Sequence, residues 1–183
     1  MLKKSILIFG LLFSATVYSQ TLPPNSFQSH DLISNYKHLS AQQLYDTANY
    51  YFNKNSIDTA FVCYNLFINI YTKNNDIEQQ KRKAEALNRV SVIYYYMCDF
   101  RSSYELLIKA LLLCEKYDYA SYKSKIYINI GNIYYRFNNY DFAKWYYSEA
   151  LNFPRDSTSI VILLNNLGSV ELETGNLDSA YLY

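Results

Sequence analysis

Eight side chains give this 183-residue chain its most useful chemistry: Tyr45, Asn49, Phe52, Asn88, Tyr95, Asn132, Tyr135 and Asn165. An asparagine amide donates and accepts hydrogen bonds at once. A tyrosine offers a large contact area with few rotors to freeze. Set along one surface, the two suit capture of a polypeptide backbone. The alternative is that the tyrosines, 22 in all, fill space while the asparagines meet solvent. Nothing suggests a reaction. His30 and His38 stand apart from any cysteine or paired acid. Cys63, Cys98 and Cys114 have no CxxC spacing, and an odd number cannot pair fully within one chain. Cys63 and Cys114 fall in apolar stretches and read as small core side chains. No catalytic residue, cofactor or metal ligand is expected, and the chain is read as a non-enzyme.

The elements that must position these residues repeat. Ala48, Ser91, Gly131 and Gly168 are each followed, twelve positions on, by another small residue: Ala60, Ser103, Ala143 and Ala180. Three positions after each comes Tyr51, Tyr94 or Tyr134, with Glu171 the exception. A fixed internal interval that recurs means an array of two-helix units. Small residues belong where two antiparallel helices approach, with bulky ones beside them. Ser40-x-x-Gln43 is a capping box that starts the first helix. Asn55, Asn138 and Gly175 supply turn residues tolerant of the left-handed region, and Cys98 takes the equivalent place in the second unit. Pro154 marks the exit from the third unit, and residues 156–159 offer caps for the next helix. The expected fold is all-α, a solenoid of about four antiparallel helix pairs. Its units lie near 41–74, 84–117, 124–157 and 161–183, after a linker and short capping helix over 20–39.

The pattern resembles the tetratricopeptide repeat over residues 41–183. The third unit is the best copy: Tyr127, Ile130-Gly131, Tyr134, Tyr140, Ala143, Tyr147 and Ala150. The first unit departs at Phe67, where a small residue is usual. Successive small residues stand 43, 40 and 37 positions apart, against the family's usual ~34. Longer helices or wider loops between units would absorb the difference. The resemblance implies a right-handed superhelix whose concave groove, lined by the first helix of each pair, holds an extended peptide or a partner helix. The eight residues above fall on that groove, with Val92, Ile128, Ser169 and Leu172, and Asn129 and Asn166 lie at its rim. The charged clamp for a C-terminal carboxylate seen in some family members is not matched, because Tyr45 and Ile128 stand where basic residues would be wanted.

Lys3-Lys4, the apolar run over 6–17 and Ser19 read as a secretory leader cut before Gln20. The run is shorter than the ~20 residues of a spanning helix. The whole chain carries +1, and loss of two lysines leaves about −1, which is no electrostatic footprint for nucleic acid. Lys81-Arg82-Lys83, between Glu78 and Glu85, reads as a solvated helix face. The last copy stops in its second helix, so a longer protein is expected. The chain resembles exported Bacteroidetes-type repeat proteins, in many of which the repeats form the periplasmic part of a membrane regulator with a downstream spanning helix. Three readings follow: a periplasmic interaction and sensing module of a longer signalling protein, a freestanding exported scaffold or assembly factor, or accessory repeats of an enzyme whose catalytic domain lies beyond residue 183.

Overall fold

The computed structural model describes residues 30–70, 76–153 and 156–183. The leader, the start of the linker and the exit at Pro154 lie outside the described residues. Among those described are nine helices and no strand. They are α1 (His30–Tyr36), α2 (Ala41–Asn53), α3 (Ile57–Ile70), α4 (Ile77–Tyr96) and α5 (Phe100–Lys116). Then come α6 (Ala120–Arg136), α7 (Tyr140–Ala150), α8 (Ser157–Glu173) and α9 (Leu177–Ala180). Each pair α2/α3, α4/α5, α6/α7 and α8/α9 packs mainly on itself and then on the next pair, which is an all-α solenoid. No described helix is long and apolar enough to cross a membrane.

The fixed interval has a backbone cause. Asn55, Cys98, Asn138 and Gly175 all adopt the left-handed conformation, with φ of 58°, 61°, 56° and 80°. In each turn the residue after the left-handed one donates its N–H to the carbonyl five residues back, of Tyr51, Tyr94, Tyr134 or Glu171. The left-handed residue itself bonds to Phe52, Tyr95, Tyr135 or Leu172. These are the paired bonds of a Schellman cap, built four times from three residue types. Asp99 and Asn139 then cap the following helices through Ser102 N and Phe142 N. The same turn in each pair sets the small residues of its two helices at one level.

Close packing follows. Ala48, Ala60, Ser91, Gly131 and Ala143 sit in the core, and Tyr64 and Tyr147 are among its largest fully buried side chains. A Cβ added to Gly131 would lie 2.4 Å from Tyr147 Cε1, so this position is glycine because a ring crosses it. Phe67 is fully buried in the place that Ala110 and Ala150 hold in later units, and Tyr45 rests on it at 5.3 Å between ring centroids. Glu171, the exception to the large apolar residue, is 2% exposed. Its carboxylate takes Lys144 Nζ at 2.6 Å and Asn176 Nδ2 at 3.0 Å. The Lys144 bond holds its pKa below the ordinary value.

The extra residues between units are largely helix. Asp76 and Asp156 cap α4 and α8 through Glu78 N and Ser159 N, at 3.0 and 2.7 Å. α4, α6 and α8 therefore begin at Ile77, Ala120 and Ser157, upstream of the unit starts expected near 84, 124 and 161. Asp118 adds a further left-handed turn before α6, with φ 50°.

Candidate partner-binding groove

α4 packs against α6, and α6 against α8, whereas the second helices make no comparable contact with one another among the described residues. The first helices therefore line the inside of the curve. At 100° per residue, positions −6, −2, +1 and +5 from the small residue fall about 100–160° round the helix from the face that meets its own partner, on one side of it. Four rows result: Gln42, Glu85, Lys125 and Ile162; Asp46, Arg89, Asn129 and Asn166; Asn49, Val92, Asn132 and Ser169; Asn53, Tyr96, Arg136 and Glu173.

This frame corrects the sequence-based set. Tyr45, Asn88 and Asn165 share position −3 with Ile128, and that position leans toward the next unit. Asn88 and Ile128 are accordingly buried, at 5% exposure each, and are not open to a partner. Asn88 Oδ1 accepts from Asn129 Nδ2 at 2.8 Å. Tyr45 is half-buried, and its hydroxyl donates to Glu85. Asn165 is exposed because no described helix covers it. Phe52, Tyr95 and Tyr135, at position +4, are half-buried between successive first helices, and Leu172 in the same register is 58% exposed.

The asparagines at +1 face the groove but carry structural bonds. Tyr64 Oη donates to Asn49 Oδ1 at 2.7 Å, and Tyr147 Oη to Asn132 Oδ1 at 2.8 Å. Unit two replaces this Tyr–Asn pair with Leu107 and Val92, so an apolar pair stands where the others have a polar one. Asn132 Oδ1 also accepts Asn166 Nδ2 at 2.9 Å. Asn129 and Asn166, expected at the rim, instead tie their units to the preceding ones. With both acceptor sites of Asn132 Oδ1 used, its Nδ2 is left for a ligand. Asn129 Oδ1 stands one turn away. Beside them a cavity of about 50 Å³ opens between α4 and α6, lined in part by Val92, Tyr95, Tyr96, Asn129 and Asn132. That is room for a few waters or one small side chain.

Three groove residues escaped the sequence reading. Glu85 accepts hydroxyls from Tyr45 on α2 and Tyr119 at the N-cap of α6, joining three units. Burial, then the Glu85 carboxylate, push both phenols well above the ordinary tyrosine pKa. Arg89 lies with its guanidinium 4.7 Å from the Phe52 ring centroid. Tyr96 is 80% exposed. The helical wheel through Ser91 puts all three on one side of α4, and the packing of successive units makes that side the groove. Lys81, Arg82 and Lys83 are half-buried rather than a solvated face. Lys81 lies over Tyr119 and Arg82 over Tyr45, at 5.3 and 5.6 Å, because α4 runs back between the neighbouring units.

No group of His, Cys, Asp or Glu among the described residues could hold a metal. Cys63 and Cys114 are fully buried and Cys98 is exposed. Burial pushes the two core thiols up to about 12.

Comparison with known proteins agrees with the architecture. Residues 82–156, from α4 to the start of α8, match the family model described as tetratricopeptide repeat, which supports a tetratricopeptide-repeat protein. The crystal structure of BtubC (BKLC) from P. vanneervenii is similar with a TM-score of 0.65 and 18% identity, over 99% of this chain and 76% of that one. At that identity the likeness concerns the fold. No curated protein matches the sequence. Such repeats point to protein partners and are typically non-catalytic.

Proposed function

We propose that the concave face of α2, α4, α6 and α8 binds an extended polypeptide segment. The observation that carries this reading is the small mixed cavity between α4 and α6, lined by Val92, Tyr95 and Tyr96, with the Asn132 amide donor and the Asn129 carbonyl acceptor one turn apart on α6. A peptide backbone presents that complementary pair at every residue. Tyr96 lines it, and Tyr135 and Leu172 add apolar area on α6 and α8. The chain is further proposed to act after export, in the periplasm, as the sensing or scaffold part of a longer signalling protein. Its N-terminal 19 residues support that placement through their charge and apolar pattern.

The test is selection of binders from a phage-displayed random peptide library on the immobilised chain. Tyr96→Ala with Tyr135→Ala should weaken selected peptides at least about tenfold, the loss of one or two interface anchors. Trp145→Ala should leave binding unchanged, because Trp145 is 46% exposed on the second helix α7. Equal losses from both, or a library that yields no binder, would remove the groove from the account.

A further inference from the structure

The register two residues before the small residue holds Asp46, Arg89, Asn129 and Asn166. In units three and four this side chain has a structural task. Asn129 donates to Asn88, and Asn166 to Asn132, each on the preceding first helix. Unit two places a guanidinium there instead. The available acceptor on the preceding helix is Asn49, whose Oδ1 takes Tyr64 Oη at 2.7 Å. Arg89 does not join it. Its guanidinium lies over Phe52, half-buried, with no hydrogen bond or ion pair to the described residues.

The neighbouring charges are already engaged. Glu85, one turn before Arg89, holds the hydroxyls of Tyr45 and Tyr119. Asp46 accepts Gln42 Nε2 at 2.8 Å. Arg82 pairs with Glu78 at 3.5 Å and reaches Gln42, and Lys125 pairs with Asp156 at 2.9 Å. Arg89 thus presents unused N–H donors from the groove wall, oriented by an aromatic ring. Stacking on a ring leaves the in-plane fork of a guanidinium free, and that fork matches a carboxylate. Half-burial strengthens the pairing over one in open water.

We propose that Arg89 anchors a side-chain carboxylate, so that the segment in the groove is acidic at that point. This rests on the peptide-binding reading above and names the chemistry of its occupant. The groove positions on α4 make the inference specific: Tyr45 and Tyr119 turn Glu85 aside, which leaves Arg89 as the charge presented there.

The probe is a phage-displayed random 12-mer library (about 40 Å when extended), with each peptide fused at its C-terminus so that only side chains supply carboxylates. Wild-type selection should enrich Asp or Glu at one aligned position. Arg89→Gln and Arg89→Met should each cost a selected acidic peptide about tenfold or more in affinity. Arg89→Met keeps an apolar stem over Phe52, and circular dichroism checks that each variant remains folded. Replacing the enriched acid by Gln or Asn should weaken binding to wild type but not to Arg89→Met. The same peptide synthesised as acid and as amide should bind equally. Binders without an acidic position, or with an acidic preference that both variants retain, overturn the carboxylate anchor and leave the groove standing. Loss of binding on amidation would assign the anchor to a terminal carboxylate and also overturn it. A library with no binder at all overturns both readings.

Discussion

Two glycines in the same register should respond in opposite directions to alanine. Gly131 and Gly168 both lie inside first helices, where Gly→Ala is worth about 0.5–1 kcal/mol of stabilisation. At Gly168 the new Cβ meets Tyr183 Cβ at 3.5 Å and Ala180 O at 3.7 Å, which is ordinary contact. Gly168→Ala should therefore keep the gain. At Gly131 the new Cβ falls 2.4 and 2.6 Å from two atoms of the Tyr147 ring, about 1 Å inside a normal carbon contact. The ring is 1% exposed, and its hydroxyl bonds Asn132 at 2.8 Å. Moving it strains a packed core, at about 1–3 kcal/mol, and endangers a hydrogen bond worth about 0.5–1.5 kcal/mol. Set against the helix gain, Gly131→Ala should lose about 1–2 kcal/mol. The assay is urea unfolding of wild type and both variants, followed by far-ultraviolet circular dichroism and by fluorescence of Trp145, the chain's one tryptophan. In thermal unfolding, a chain of this size shifts by about 2–4 °C per kcal/mol. Unit one shows how the reasoning could fail. There Ala48 coexists with Tyr64, whose hydroxyl still reaches Asn49 at 2.7 Å. If the third unit can adopt that spacing freely, Gly131→Ala will be as stable as wild type, and the ring-crossing explanation is wrong.

Four other outcomes are expected. A thiol reagent at mild alkaline pH should label Cys98 alone in the folded chain and all three cysteines after unfolding. Because burial raises the folded pKa of Cys63 and Cys114 from 9.0 to about 12, their contribution to stability is complete below pH 9 and declines as pH rises toward 12; urea midpoints across that range should fall. Glu85→Ala removes the acceptor of two half-buried phenols and should destabilise the junction of units one to three by about 1–3 kcal/mol, read by hydrogen exchange in α2, α4 and α6. Mass spectrometry of protein recovered from the periplasm should find Gln20 first; an intact Met1 there contradicts the leader.

The helix pairs were legible because they rest on local rules. Ala48, Ser91, Gly131 and Gly168 fix the approach of two helices joined by a short turn, and the left-handed residue of each turn follows from its own neighbours. Even Cys98 could be placed by register, although its type does not favour that conformation. Contacts between units were less legible. The partners Asn166 and Asn132, Asn129 and Asn88, or Tyr45 and Glu85 lie 34 to 41 residues apart. Which of them meet depends on how far one pair rotates on the next. That rotation separated the groove row through Arg89 from the inter-unit row through Asn88, which are only 100° apart on the same helix. Spacing alone also left helix and loop as alternatives for the inserted residues, until the caps at Asp76 and Asp156 placed most of them in helix.

Amide hydrogen exchange of the chain with and without a selected peptide tests the groove most directly. Added protection should concentrate on the first helices α4, α6 and α8, with its maximum around Val92 and Asn132. Protection centred on the second helices α3, α5 and α7, with the first helices unchanged, would contradict binding on the concave face.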